Sequence, residues 1–135
     1  MRYVRTRDRL HSAGLGTAIA RGLAPDGGLY VPDALPRILS DELGDPADLP
    51  ALAEHLLRPF AAGDVMAGRL AEITRDAFDF PAPVVEVDGA GGPLSVLELF
   101  HGPTLAFKDF GARFLAATLE RVPRPDPRRL TILVA

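Results

Sequence analysis

Apolar residues recur at helical spacing in three stretches of the chain and gather into short extended runs in three others. Leu49, Leu52, Ala53, Leu56, Leu57 and Phe60 share one helical face. Asp48 supplies an N-cap and Pro50 a first-turn proline, so a helix is predicted from there to about Gly63. Met66, Leu70, Ile73 and Ala77 repeat by fours and threes after Asp64 and predict a second helix that ends before Pro81 and Pro83. Phe107, Phe110, Phe114, Leu115, Leu119 and Val122 form the stripe of a third, closed by the proline-rich PRPDPRR that follows. The runs at 84–87, 94–100 and 130–135 are β-rich; the first two flank the glycine-rich DGAGGP, and the last, LTILVA, is apolar almost throughout.

The first 36 residues are patterned differently. Residues 2–6 (RYVRT) alternate weakly and suit a short edge strand, and Thr17 is placed to cap a brief helix ending at Arg21. GLAPDGGLYVPDALP then carries too much glycine and proline for regular structure, with Pro25-Asp26-Gly27-Gly28 as its turn and Leu29-Tyr30-Val31 as a short extended piece.

This order predicts an α/β chain in two parts. Residues 1–82 make a small, mostly helical N-terminal domain, the PAP at 81–83 is the linker, and residues 83–135 begin a second domain. From Leu94 onward strand, helix and strand succeed one another, the mark of a βαβ unit in a parallel sheet. A parallel strand with no helix after it leaves a sheet face uncovered, so the second domain is expected to be truncated at Ala135.

Composition narrows the function. At 47% hydrophobic residues the chain can bury a core, and a net charge of −3 offers no electrostatic footprint for nucleic acid or an anionic membrane. MRYVRTRDRL has no apolar signal segment and no run reaches the ~20 residues needed to span a bilayer, so a cytoplasmic protein is expected. The absence of cysteine rules out disulfides, thiolate metal sites and cysteine nucleophiles, and no metal site is expected.

Of 15 cationic side chains 14 are arginine; the only lysine is Lys108. Guanidinium stays protonated, whereas a desolvated ammonium can lose its proton and attack a carbonyl, so a task that needs a neutral amine falls to Lys108. Lys108 sits early in a helix after a strand and a Gly-Pro turn, the edge where open α/β sheets bind ligands. The helix start and the neighbouring Phe107 and Phe110 work against the charged amine, and Asp109 works for it. A solvated helix lysine paired with Asp109 is the bland alternative. His101 and Thr104, in the preceding turn, are candidates for contact with a substrate phosphate or for capping and packing. Arg5 and Arg7 read as solvated charges, with contact to a phosphate as the sharper alternative, and Asp26 as the residue that shapes its turn.

The segments 98–114, ELFHGPTLAFKDFGARF, and 22–32, GLAPDGGLYVP, resemble the lysine segment and the turn-rich N-terminal signature of the threonine synthases. TILVA at the end is similar to a strand that, in the family, runs into a Ser-Gly-Asp-Thr-Gly loop. The resemblance implies the fold of the tryptophan synthase β type, with a parallel-sheet domain that binds pyridoxal 5'-phosphate (PLP) covalently on Lys108, beside Phe107. It implies conversion of O-phospho-L-homoserine and water into L-threonine and phosphate, with Lys108 also moving protons at the α and β carbons. A phospholyase on the same cofactor and substrate, or a noncatalytic domain, are the other readings. Because the loops expected to grip substrate and cofactor phosphate would follow Ala135, the 135-residue chain alone is expected to bind PLP weakly and to lack synthase activity.

Overall fold

The structure, a computed structural model, describes residues 1–39, 43, 45, 47–89 and 91–123. The runs from Leu130 to Ala135 and most of PRPDPRR lie outside the described residues.

The N-terminal segment builds a three-stranded antiparallel sheet ordered β2-β1-β3 from β1 (Tyr3–Arg5), β2 (Ser12–Ala13) and β3 (Tyr30–Pro32). The strand expected at an edge is therefore central. Tyr3 pairs with both Ala13 and Pro32, and Val4 is wholly buried, because the chain returns on both sides of β1. Between β2 and β3 lies α1 (Leu15–Arg21), whose N-cap is Gly14; Thr17 is inside it and exposed, so the cap expected of Thr17 is corrected. The amide of Gly16 instead donates to Asp64 Oδ2 at 3.2 Å, tying α1 to the start of the helical pair.

That pair follows the apolar pattern closely. α2 (Leu49–Ala61) is capped by Asp48, which accepts from the Ala51 amide at 3.0 Å, and its chain turns at Gly63 with φ 78°. Asp64 accepts from the Met66 amide at 3.0 Å and starts a 3-10 helix (Val65–Arg69) that runs into α3 (Leu70–Ala77). Met66, Leu70, Ile73 and Ala77, the four positions of the pattern, are all among the most deeply buried residues. Tyr3 reaches across from β1 to donate to the Phe60 carbonyl at 3.0 Å; burial, with the charge of Asp64 nearby, pushes its hydroxyl pKa up.

After the irregular 81–83, β4 (Val84–Gly89) and β5 (Gly92–Leu97) form an antiparallel hairpin in which Gly89 faces Gly92. Both sheets of the described residues are antiparallel; the strand expected to pair in parallel falls on the C-terminal run outside them. The hairpin is exposed along all of β5. Finally α4 (Lys108–Arg121) packs back on the helical pair, so that Ala117 and Val122 share one core with Ala53, Met66, Ile73, Ala77, Phe78 and Phe80. Phe78 stacks on Phe114 with ring centres 6.1 Å apart, and Phe80 meets Phe110 edge-on at 5.0 Å. No helix among the described residues is long and apolar enough to cross a membrane.

The stripe of α4 differs from the one predicted. Phe107 is 65% exposed and Leu115 39%, while Ala117 and Thr118 are buried in their place. Phe107 lies just before the first helical residue and is not carried round to the packed face. The buried residues are therefore 109, 117, 118, 119 and 122, with Phe110 and Phe114 packed half-buried against the core; of the predicted stripe Leu119 and Val122 are buried, and the polar Thr118 concealed the rest in the sequence.

Candidate functional site

Two turns carry the residues singled out for chemistry. In the first, Ala24 to Gly28, the Gly27 amide donates to Ala24 O and the Ala24 amide to Gly28 O, each at 2.9 Å. Gly27 takes φ 76°, a left-handed conformation that explains a glycine there. Asp26 Oδ1 accepts from the Gly28 amide at 2.9 Å, so Asp26 shapes its turn. Its Oδ2 is buried without a hydrogen bond and stands 4.0 Å from the guanidinium of Arg5, while Arg7 donates to the Asp26 carbonyl at 3.0 Å. Thr6 closes the turn onto β1: its hydroxyl accepts from the Leu29 amide at 2.9 Å. Arg5 and Arg7 are thus tied to this turn in the structure.

The second turn runs from His101 to Phe107 into α4. Lys108 is the first residue of that helix and is exposed, at the mouth of a turn whose Leu105 has φ 57°. The Lys108–Asp109 pair of the bland alternative is not what the side chains make. Asp109 is 4% exposed and faces back into the turn, where Oδ2 accepts from the Thr104 amide at 2.9 Å and Oδ1 from the Thr104 hydroxyl at 2.8 Å. Lys108, one residue earlier and about 100° round the helix, is left facing outward. Of its two aromatic neighbours, Phe107 is exposed beside it, and Phe110 belongs to the core with Phe78 and Phe80. The apolar flank expected around the amine is therefore half present in the described residues.

His101 Nε2 lies 2.6 Å from Glu98 Oε2 and its ring is 4.8 Å from that of Phe100. Glu98 in turn is held to the linker, its amide donating to Pro83 O at 2.9 Å. Sequence reasoning named Lys108, Phe107, His101 and Thr104, and the structure sets all four in one turn and helix start. It missed Asp109 as a member of the turn's framework, because adjacency to Lys108 suggested an ion pair and only the helix rotation shows where the carboxylate points. The signal available in the sequence was a threonine five residues before the aspartate, just after Gly102-Pro103.

Among the described residues the lone lysine stands at the first residue of a helix, after a hairpin and a Gly-Pro turn, on a scaffold of four α-helices and two small sheets. Residues 2–78 match the family model described as threonine synthase N terminus. The threonine synthases of Pseudomonas aeruginosa and Escherichia coli are 38% and 36% identical to it over its whole length, which spans 30% and 31% of theirs. Two solved structures are alike over 90% of the chain. They are Escherichia coli threonine synthase, with TM-score 0.78 and 35% identity, and PLP-bound threonine synthase of Brucella melitensis, with TM-score 0.75 and 36% identity. The chain covers 28% and 27% of those two. The chain belongs to the threonine synthase family.

Proposed function

We propose that the protein is a threonine synthase, acting on O-phospho-L-homoserine and water to give L-threonine and phosphate, with pyridoxal phosphate held on Lys108. The observation that carries this reading is the placement of Lys108: the chain's sole lysine, outward-facing at the first residue of a 14-residue helix, in a chain of this family.

The residues present fit attachment of the cofactor through its aldehyde. An aldehyde can reach an exposed amine on a helix start, and the exposed ring of Phe107 is adjacent to receive a flat heterocycle. When bound, pyridoxal phosphate supplies an electron sink for carbanion chemistry at the substrate's α carbon. Lys108 would hold the cofactor, and its free amine would take and return protons at the α and β carbons. His101, oriented by Glu98 at 2.6 Å, is the candidate for contact with the substrate phosphate. Thr104, whose hydroxyl donates to Asp109, is assigned to the framework of the turn.

Residues 1–82 then form the N-terminal domain and 83–135 the first part of a cofactor domain built on a parallel sheet, with 81–83 as the joint. Helix α4 of the second part docks on the helices of the first. A cytoplasmic location follows from the proposed biosynthetic role.

The test is product analysis with the protein expressed in its natural reading frame. Threonine and phosphate from O-phospho-L-homoserine, abolished by Lys108→Ala, are expected. A keto acid with phosphate would assign the phospholyase reaction instead, and turnover retained by Lys108→Ala would overturn the assignment of Lys108.

A further inference from the structure

We propose that Asp109 is a positioning residue, one that sets the presentation of Lys108 by clamping the turn from Gly102 to Phe107 through Thr104. This rests on the proposed role of Lys108 as the cofactor lysine.

Two contacts of one turn converge on the Asp109 carboxylate, and two further features hold the turn around them. Thr104 gives it both available donors, backbone N–H at 2.9 Å and hydroxyl at 2.8 Å. Gly102 is buried against it: a Cβ on residue 102 would stand 2.7 Å from Asp109 Cβ and 2.8 Å from its Cγ, so the turn closes only over glycine. Leu105 holds φ 57°, a conformation that a γ-branched residue adopts only where its surroundings over-determine it, and its amide donates to Gly102 O at 3.0 Å. The Asp109 amide itself donates to Ala106 O at 3.1 Å, closing the first turn of the helix onto the loop.

The consequence for Lys108 is directional. With Asp109 anchored inward, the preceding side chain must leave the helix on the open side, and the strained Leu105 cannot relax without releasing Thr104 from the carboxylate. A merely stabilising aspartate needs one partner; this one holds backbone and side chain of the same residue, which fixes the loop against both translation and rotation. A first-turn lysine on a frayed helix would sample many directions, and a reaction at its amine would lose the advantage of a held geometry.

The experiment uses the protein in its natural reading frame, with Thr104→Val, Thr104→Ser and Asp109→Asn. Pyridoxal phosphate capture at Lys108 is trapped by borohydride and located by peptide mass spectrometry, and acetylation of the same amine is followed against pH. Peptide mass spectrometry locates both readouts at Lys108, the only lysine of residues 1–135. Thr104→Val, which changes no charge, and Asp109→Asn are expected to slow capture about tenfold with far-UV circular dichroism unchanged, and Thr104→Ser to stay within about twofold of the parent. Lowered melting temperatures with capture and acetylation profiles both unchanged would overturn the proposal, leaving Asp109 a purely structural residue. If Asp109→Asn does not fold, Thr104→Val decides. Should the parent protein fail to take the cofactor at Lys108, the cofactor reading falls. The acetylation profile then decides alone: a several-fold change in Thr104→Val sustains the positioning role, and an unchanged profile ends it.

Discussion

Arg113 caps the end of α3 from across the helix interface: its Nε donates to the carbonyl of Ala77 at 2.8 Å. The same guanidinium donates to the Asp76 carbonyl at 2.8 Å and to Asp79 Oδ1 at 2.6 Å, and lies 5.7 Å from the centre of the Phe80 ring. The last carbonyls of a helix have no partner within it, and here a side chain of α4 supplies one. Two turns further along α4, Arg121 instead pairs with the side-chain carboxylates of Asp76 and Glu72; hydrogen bonding to Asp76 holds its guanidinium pKa above the ordinary value.

Replacing Arg113 by methionine keeps most of the aliphatic stem and removes the fork. The Ala77 carbonyl then loses a partner at a wholly buried residue, and a loss of about 2 kcal/mol is expected by urea titration. Arg113→Lys should recover only part of it, as an ammonium cannot bond two carbonyls and a carboxylate from one plane.

Ile73→Ala removes the side chain at the centre of α3, which is 1% exposed and packed among the core phenylalanine and methionine residues. A loss of about 3 kcal/mol is expected by the same titration, with the far-UV spectrum unchanged. A loss below about 1 kcal/mol would mean that α3 is not packed as described.

The cap of α2 gives a smaller, independent number. Asp48→Ala leaves the Ala51 amide to water and should cost about 1 kcal/mol, whereas Asp48→Asn or Asp48→Ser should cost a few tenths.

Glycine substitutions separate the two kinds of glycine in the chain. At Gly28 a Cβ would stand 2.9 Å from Thr6 Oγ1 and 3.0 Å from Asp26 Oδ1, so Gly28→Ala should disturb both hydrogen bonds of the turn and cost about 2 kcal/mol. Gly68 has open space around it, and Gly68→Ala should be neutral or stabilise by about 0.5 kcal/mol. Thermal melts of the two variants side by side check the contrast.

The Asp33 carboxyl is held below its ordinary pKa, chiefly by the hydrogen bond from Arg2, 2.7 Å away, with Arg9 at 3.3 Å adding to it. A depressed folded-state pKa means that the pair's contribution is present above the ordinary carboxylate range and is lost as pH falls through the lowered value. Both partners are solvent-exposed, so the effect on total stability is small; the direct measurement is the Asp33 titration by NMR. Arg2→Ala should move its midpoint upward, and an unmoved midpoint would mean that the contact does not persist in solution.

Much of this was legible along the chain because it depends on neighbours in sequence. The cap at Asp48, the apolar face of Met66, Leu70, Ile73 and Ala77, the turn at Pro25 to Gly28 and the hairpin around 89–92 are each set by local periodicity or by a backbone conformation that few residues accept. The lone lysine at the start of a helix was likewise visible, since it is a fact of composition and of position within a pattern.

Tertiary structure decided what depends on distant segments. β1 is central because residues 12–13 and 30–32 return on either side of it, and no feature of RYVRT records that. Thr17 lost its role as a cap because the helix begins two residues earlier, where Asp64, 48 residues away, meets the Gly16 amide. The inward turn of Asp109 is made with Thr104 and Gly102 of its own turn, while the face that α4 buries is chosen by Phe78, Phe80 and their neighbours, and together these leave Lys108 outward. Sequence determined which residues were available for chemistry, because side-chain identity and local spacing are intrinsic to it. Structure decided which way they point, because direction depends on the surface that each helix finds to bury.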